Sequence, residues 1–307
     1  MENTTPSGRN SEIAAAFADP LREFPFSAAD FDRVRTLVKE RAGIDLGASK
    51  RSLVYGRLAR RLRVLGVPTF AAYLERVEDA DSEEAGRFVN AITTNVTEFF
   101  RENHHFEHLA RTVLPAIWAR TGPSVRRVRL WSAGCSTGEE PYSLAMVVRE
   151  NPPPASSGSW DIKILATDLD TDVLAEARAG LYRAERLQKV GSARLARFFA
   201  PVVGQPEKYQ ASDALRSLIT FKPLNLLEPW PMQGLFDLIV CRNVVIYFDD
   251  PTKRALVQRY HDRLAAGGFL FLGHSESLVG ATAGLQPTGR TTYRKLNNAG
   301  VESEPEK

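Results

Sequence analysis

The chain has 307 residues, 43% of them hydrophobic and 25% charged, with a net charge of +3: a globular protein able to bury a core, with no charge excess that selects a partner class. No apolar run approaches the roughly 18 residues that a membrane-spanning helix needs. Two cysteines, Cys135 and Cys241, are too few for a disulfide scaffold, and no basic-then-apolar leader opens the chain, so a cytoplasmic protein without membrane insertion is expected.

Residues 1–20 are small and polar and residues 297–307 polar and acidic, so both read as disordered tails. Residues 21–95 read as a small all-α domain. Phe31, Val34, Leu37 and Val38 recur at helical spacing, as do Leu53, Val54, Leu58, Leu62 and Leu65, with Gly43, Gly47 and Gly66–Pro68 as breaks. Its charge is uneven: residues 33–63 hold ten Lys or Arg against two acids, and 50–63 hold no acid at all. Arg57, Arg60 and Arg61 share a helix side by spacing and Arg63 sits off it. The stretch reads either as a solvated face or as a docking face for an acidic partner. Nucleic acid is not expected, because Tyr55 alone among the aromatics is interleaved there.

From about residue 125 short β-rich runs alternate with helical ones: Val128–Trp131, Ile162–Ala166, Leu218–Phe221, Phe236–Cys241, Phe269–Gly273 and Thr291–Arg294. Alternation of this kind predicts an α/β domain over 96–296 with a mostly parallel sheet. Residues 191–217 fit it poorly and read as an insertion.

Four strand ends carry polar residues. VRLWSAGCSTGEEPYSLA (128–145) is a strand, a small-residue turn and a helix start, with Pro141 in the first helical turn. Such a turn lets a ligand approach the backbone where open α/β sheets bind ligands. It is neither a phosphate-cradling loop ending in Lys nor GxGxxG, and Glu139 and Glu140 favour a ligand bearing an ammonium or sulfonium group. An ordinary helix start is the plainer reading. ILATDLD (164–170) ends in acids; Asp168 is placed to accept ribose hydroxyls, while Asp168 or Asp170 could instead cap the helix that follows. FKPLNLLEP (221–229) offers Asn225 and Leu226, and FDLIVCRNVVIYF (236–248) offers Arg242, Asn243 and Tyr247.

Other constellations carry less. His104 and His108 stand at i, i+4, but no Glu follows the first, so no metal site is expected and a plain histidine-bearing helix is. His274–Ser275 lacks the Gly-x-Ser-x-Gly context. Cys135 and Cys241 end strands expected to be neighbours, so their thiols are expected close together and free.

TTNVTEFFRENHHF (93–106), WSAGCSTGEEPYSLA (131–145), ATDLDTDVLAEARAGLY (166–182), NLL (225–227), CRNVVIYFD (241–249) and GHSES (273–277) together resemble the bacterial chemotaxis receptor methyltransferases, CheR-type. AGIDLGASKRSLVYGRLARRLRVLG (42–66) is similar to that family's helical domain. The resemblance runs in order from about residue 27 to 295. It implies a Rossmann-like S-adenosylmethionine-dependent methyltransferase domain with an inserted antiparallel β subdomain, here within 191–222, behind an all-α substrate-docking domain. It implies cofactor contacts at Asn95, Thr97, Arg101, Glu140, Asp168, Asn225, Leu226, Arg242 and Asn243. The implied partner is the acidic, helical cytoplasmic region of a chemoreceptor, with Arg57, Arg60, Arg61 and Arg63 facing it. In some members a glycine-flanked turn docks a receptor's C-terminal pentapeptide; APVVGQPEKY (200–209) has Gly204 alone, a departure that puts such docking in doubt.

The implied reaction transfers a methyl group to receptor glutamates. A glutamate is already ionised at neutral pH, its reference pKa being about 4.3, so no general base is needed. Alignment and exclusion of water are, and Arg101 and Tyr247 are expected near the reacting centre. The alternatives are a same-fold methyltransferase for a small molecule and a non-catalytic adaptor; the basic helical domain speaks against the first, and retention of Arg101, Glu140 and Asp168 against the second. The missing GxGxxG speaks against a nicotinamide dehydrogenase.

Overall fold

The computed structural model describes residues 23–79, 82–120, 126–276 and 284–296, and the tails expected at 1–20 and 297–307 lie outside them. Two compact units divide the chain, Met1–Thr94 and Asn95–Lys307. Among the described residues no helix is long and apolar enough to cross a membrane.

The first unit is helical. α1 (Ala28–Ala42) opens on a reciprocal capping box between Ser27 and Asp30 and stops at Gly43, whose φ of 68° suits a residue without Cβ. α2 (Arg51–Leu65) stops the same way at Gly66, while Thr69 and Ser82 cap α3 (Phe70–Glu78) and α4 (Glu83–Ile92). Val34, Val38, Leu58, Leu62, Phe70, Tyr73, Leu74 and Phe88 fill the core. Leu53, expected inside, is 45% exposed, because Val54 takes the inward position and adjacent helical residues point about 100° apart.

The basic stretch in α2 is not without acidic partners, as its sequence suggests. Arg61 makes a two-point pair with Glu84 of α4 (2.9 and 2.6 Å), to which Tyr73 adds a 3.0 Å hydrogen bond. Arg57 donates to the carbonyls of Ile92 and Thr93 and to Thr94 Oγ1, closing the end of α4. Arg63 pairs with Glu23 at 2.7 Å. Arg60 is exposed and has no hydrogen bond or ion pair among the described residues. Fewer of these arginines are therefore left without an acidic or carbonyl partner than spacing implies.

The second unit is built on a seven-stranded sheet. Its strands are β1 (Arg127–Ala133), β2 (Asp161–Asp168), β6 (Ile219–Pro223), β7 (Phe236–Cys241), β8 (Leu264–Leu272), β9 (Leu285–Gly289) and β10 (Thr292–Lys295), in the order β6-β2-β1-β7-β8-β10-β9. The first five are parallel and the last two antiparallel. Near-continuous apolar runs such as β7 follow from burial on both faces. The chain leaves β1 towards β2 on one side and returns through β7 on the other, so a crevice opens at the carboxyl end of β1.

α5 (His104–His108), a π-helical segment (Leu109–Val113) and α6 (Leu114–Trp118) precede β1; α7 (Glu139–Glu150) follows it, and α8 (Thr171–Ala179) follows β2. Leu130, Leu238 and Val240 point to one face, Trp131, Ile239 and Cys241 to the other. Cys135 packs with the first group, so the two thiols lie in apolar clusters on opposite faces rather than together; both are free.

A second sheet, β3 (Leu181–Arg183), β4 (Phe199–Val202) and β5 (Gln205–Ala211), is antiparallel in the order β3-β5-β4. It begins upstream of the expected 191, because α8 ends at Gly180 (φ 63°) and the chain turns directly into β3. Ile219–Pro223, inside the expected insertion, is instead the edge strand β6 of the main sheet.

Candidate active site

The turn after β1 is built from the residues its sequence singles out. Gly134 (φ 90°), Ser136 (φ 49°) and Gly138 (φ 97°) all lie in the left-handed region. A Cβ on Gly134 would fall 2.4 Å from the Val244 side chain, so only glycine lets the exit of β1 pass the loop after β7. The Gly134 and Cys135 N–H groups donate to the Thr167 carbonyl at 2.8 and 2.9 Å, fastening the turn to the end of β2.

Asp168 and Asp170 divide the two roles open to them. Asp170 caps α8, Oδ1 accepting from the Asp172 and Val173 N–H groups at 2.9 and 3.3 Å. Its other oxygen accepts from Asn95 Nδ2 at 2.7 Å, and Ser136 Oγ donates to the Asn95 carbonyl at 3.1 Å. Asn95 thus enters the site through its two partners. The Asp168 carboxylate receives the Ser136 and Asp170 N–H groups at 2.7 and 3.0 Å and has no cationic partner among the described residues. Burial raises its pKa, those N–H groups pulling against the rise.

The adjacent glutamates separate likewise. Glu140 is buried; it accepts from Ser132 Oγ at 2.7 Å and faces the Arg242 guanidinium at 3.3 Å, and burial raises its pKa against both. Glu139 is turned the other way, paired with Arg186 and accepting from Thr137 Oγ1, so of the two only Glu140 faces the end of β7.

At the end of β7, Arg242 is almost wholly buried. It reaches Glu140, donates to the Arg101 carbonyl, and stands 3.7 Å from Glu102 Oε2 and 5.6 Å over the Phe106 ring. It thereby holds the segment carrying Arg101 and the first turn of α7. Asn243 adopts φ 60°, held by a residue whose role sequence reasoning missed: Glu276 accepts from the Asn243 and Gly273 N–H groups (2.8 and 2.7 Å) and from Ile246 N–H at 3.2 Å. The one available signal was a lone Glu just past a strand end, within GHSES.

The remaining expected residues are placed as follows. Asn225 folds back on its own turn, accepting from Leu227 N–H and donating to Glu228. The Leu226 side chain turns into the cluster of Trp131 and Trp230, and its carbonyl accepts from Trp230 and Arg259. Thr97 and Tyr247 are half-buried, and Tyr247 is outside both apolar clusters of the unit. Arg101 is half-buried, donates to the Val96 carbonyl at 2.7 Å, and forms no ion pair among the described residues.

Two acceptor-only groups, Asp168 and Glu140, thus flank a small-residue turn at the crevice of the sheet. That donor set fits a ligand bringing hydroxyls and a positive charge, as S-adenosylmethionine does, and it repels a pyrophosphate.

Comparison with known proteins agrees. The all-alpha domain of CheR methyltransferase matches residues 29–93, and the SAM binding domain of CheR methyltransferase matches residues 95–294. A probable chemotaxis protein methyltransferase of Rhizobium etli is 46% identical over 256 residues, 82% of this chain and 94% of that protein. The chemotaxis protein methyltransferases of Klebsiella aerogenes and Escherichia coli are each 40% identical over 296 residues, 95% of this chain and 98% of theirs. The domain over residues 95–294 is accordingly one that binds S-adenosylmethionine, and the chain belongs to the CheR methyltransferase family.

Proposed function

We propose that the protein is a protein-glutamate O-methyltransferase that esterifies glutamates on the helical cytoplasmic region of chemoreceptors, in chemotaxis-type adaptation. The observation that carries this reading is the pair Asp168, at the end of β2 and without a cationic partner among the described residues, and Glu140, which accepts from Ser132 of β1 and shares Arg242.

S-adenosylmethionine supplies an electrophilic methyl group on a sulfonium. In this chain Asp168 would take the ribose hydroxyls and Glu140 the ammonium, with Asn95, Thr97, Asn225, Leu226, Arg242 and Asn243 shaping the rest of the site. The substrate carboxylate is already an anion, so no side chain need remove a proton. Arg101, with no acid of its own, is suited to hold that carboxylate in line, and Tyr247 to close the site against water. As methyl transfer proceeds the opposite charges neutralise each other, which a poorly hydrated crevice favours.

The test is incubation with methyl-labelled cofactor and a receptor cytoplasmic fragment. Label should appear in the fragment and be released as methanol by mild alkali, as a carboxyl ester is and a methylated amine is not. Alkali-stable label would point to another acceptor group, and no label to a small-molecule substrate or an adaptor.

A further inference from the structure

Around the start of α5 lies a cluster to which the reading above gives no role. Glu102 Oε2, His104 Nε2 and His105 Nδ1 are buried, and none has a hydrogen-bond partner. One ligand atom from each of these three residues can be chosen so that all lie within 4.8 Å of one another. Dry, unpaired polar atoms are normally avoided one at a time; three on neighbouring residues call for a partner.

The hydrogen bonding says what kind. His105 Nε2 lies 3.3 Å from the Arg290 carbonyl oxygen and 3.1 Å from Thr291 Oγ1; in the tautomer that donates from Nε2 to that carbonyl, Nδ1 presents a bare lone pair. The lone pair faces Glu102 Oε2 at 3.5 Å, another acceptor. Two acceptors opposed across a dry gap repel unless a cation lies between them. A ring nitrogen donating to a backbone carbonyl is also how metal-bound imidazoles are oriented. The His104 ring packs on that of His105, centroids 4.1 Å apart. Glu102 itself sits at φ 54°, in a turn that swings its carboxylate back towards α5.

Charge agrees. Half-buried Glu102 and buried Glu140 share one guanidinium, Arg242. That guanidinium is 3.7 Å from Glu102 Oε2 and would share it with an incoming cation. His274 holds the other Glu102 oxygen at 3.0 Å, and His108 is turned to Thr288, so neither fills the gap.

We infer that Glu102, His104 and His105 form a binding site for a borderline divalent transition cation, Zn²⁺ best matching two imidazoles and a carboxylate. Tetrahedral ligands at about 2.0 Å from zinc lie about 3.3 Å apart, so the three groups must draw together on binding. Glu102 and His104 are half-buried, and these two would make most of that movement. This site goes beyond the methyltransferase reading and does not rest on it.

The test uses the full-length chain, without a polyhistidine tag and stripped of metal by a chelator. Zn²⁺ is titrated against a competing chromophoric chelator, and Co²⁺ serves as a spectroscopic probe. One Zn²⁺ per chain should bind, and the Co²⁺ form should show visible absorption bands of a low-coordinate imidazole site. His105 is packed against Phe271 and its variants risk misfolding, so His104→Gln carries the test, with its fold checked by circular dichroism. It should weaken Zn²⁺ binding at least 30-fold and abolish the Co²⁺ bands, while His261→Ala, on a remote helix end, should change neither. Absence of stoichiometric Zn²⁺ binding, or wild-type binding by His104→Gln, would overturn the inference.

Discussion

The Asp168 carboxylate accepts the backbone N–H of Ser136 at 2.7 Å, so the end of β2 holds the turn after β1 in its left-handed conformation. The group proposed to receive ribose hydroxyls therefore also shapes the turn beside it. Asp168→Ala removes both functions. It should weaken S-adenosylhomocysteine binding by ~1.5–3 kcal/mol, the cost of losing charge-assisted hydrogen bonds in a partly buried site. Asp168→Asn, which keeps an acceptor for Ser136, should lose less. Calorimetric titration measures both; equal affinity in all three proteins would remove Asp168 from cofactor recognition.

Burial lifts the Glu140 carboxyl above its ordinary range, against the pull of Arg242 and Ser132, and lifts Asp168 in the same way. A ligand with an ammonium group binds the anions, so its affinity should fall on acidification sooner than exposed carboxylates, with reference values of about 4, would cause. Stability of the ligand-free fold runs the other way. A carboxyl whose folded pKa is raised holds its proton more tightly when folded, so its contribution is present in acid and lost as pH rises through that pKa. Cofactor-product titrations at several pH values should show the acid-side loss, and Glu140→Gln should flatten it. Superimposable profiles for wild type and Glu140→Gln would exclude Glu140 from the binding step.

Much of the site was legible because it is local. The small-residue turn, Pro141 in the first helical turn and an acid at the end of a β-rich run each state their geometry within a few residues. What stayed hidden depends on chain pairing across distance. Asn95 meets Asp170 across 75 residues and Glu276 meets Asn243 across 33, and no periodicity announces either. Charge patterning misled for the same reason: Arg61 appears unpaired along the chain and is paired across the helices with Glu84. Cys241 ends β7, but Cys135 lies in the turn past β1, and the two thiols pack into apolar clusters on opposite faces.

Glu276 satisfies three backbone N–H groups of the loops after β7 and β8, and so sets the position of Asn243 and Tyr247. Glu276→Ala leaves all three without an acceptor in a dry environment. The expected destabilisation is about 3 kcal/mol, since each unsatisfied buried donor costs ~1–3 kcal/mol and relaxation recovers part. Chemical denaturation measures it. Wild-type stability in Glu276→Ala would mean that the loop finds other acceptors.

Arg101 has a backbone carbonyl as its partner and no carboxylate, so its guanidinium is not part of an ion pair that holds the fold. Arg101→Ala should leave the unfolding midpoint nearly unchanged while cutting turnover at least 100-fold. Cofactor affinity should fall far less. Arg101→Lys should restore little, because an ammonium cannot reproduce a planar two-point hold on a carboxylate. Full turnover in Arg101→Ala would leave the carboxylate to be positioned by other groups.

The four arginines of α2 separate into distinct tests. Arg61 is committed to a largely buried pair with Glu84, so Arg61→Glu would set two carboxylates against each other and destabilise the helical unit by about 3 kcal/mol or more. Loss of receptor methylation in that variant would report unfolding rather than docking. Arg57, bound to the carbonyls at the end of α4, has the same difficulty. Arg60 is exposed and unpaired among the described residues, and Arg63 has only a surface partner in Glu23, a contact of small worth. Arg60→Glu, alone and with Arg63→Glu, should therefore keep wild-type stability. If this face meets an acidic receptor helix, both variants should raise the apparent KM for receptor several-fold with kcat nearly unchanged, since rim charges steer encounter more than they add affinity. Added salt should do the same to the wild type, because exposed charges are screened beyond ~10 Å at 0.1 M. Normal methylation by the double variant at low salt would make the stretch a solvated face.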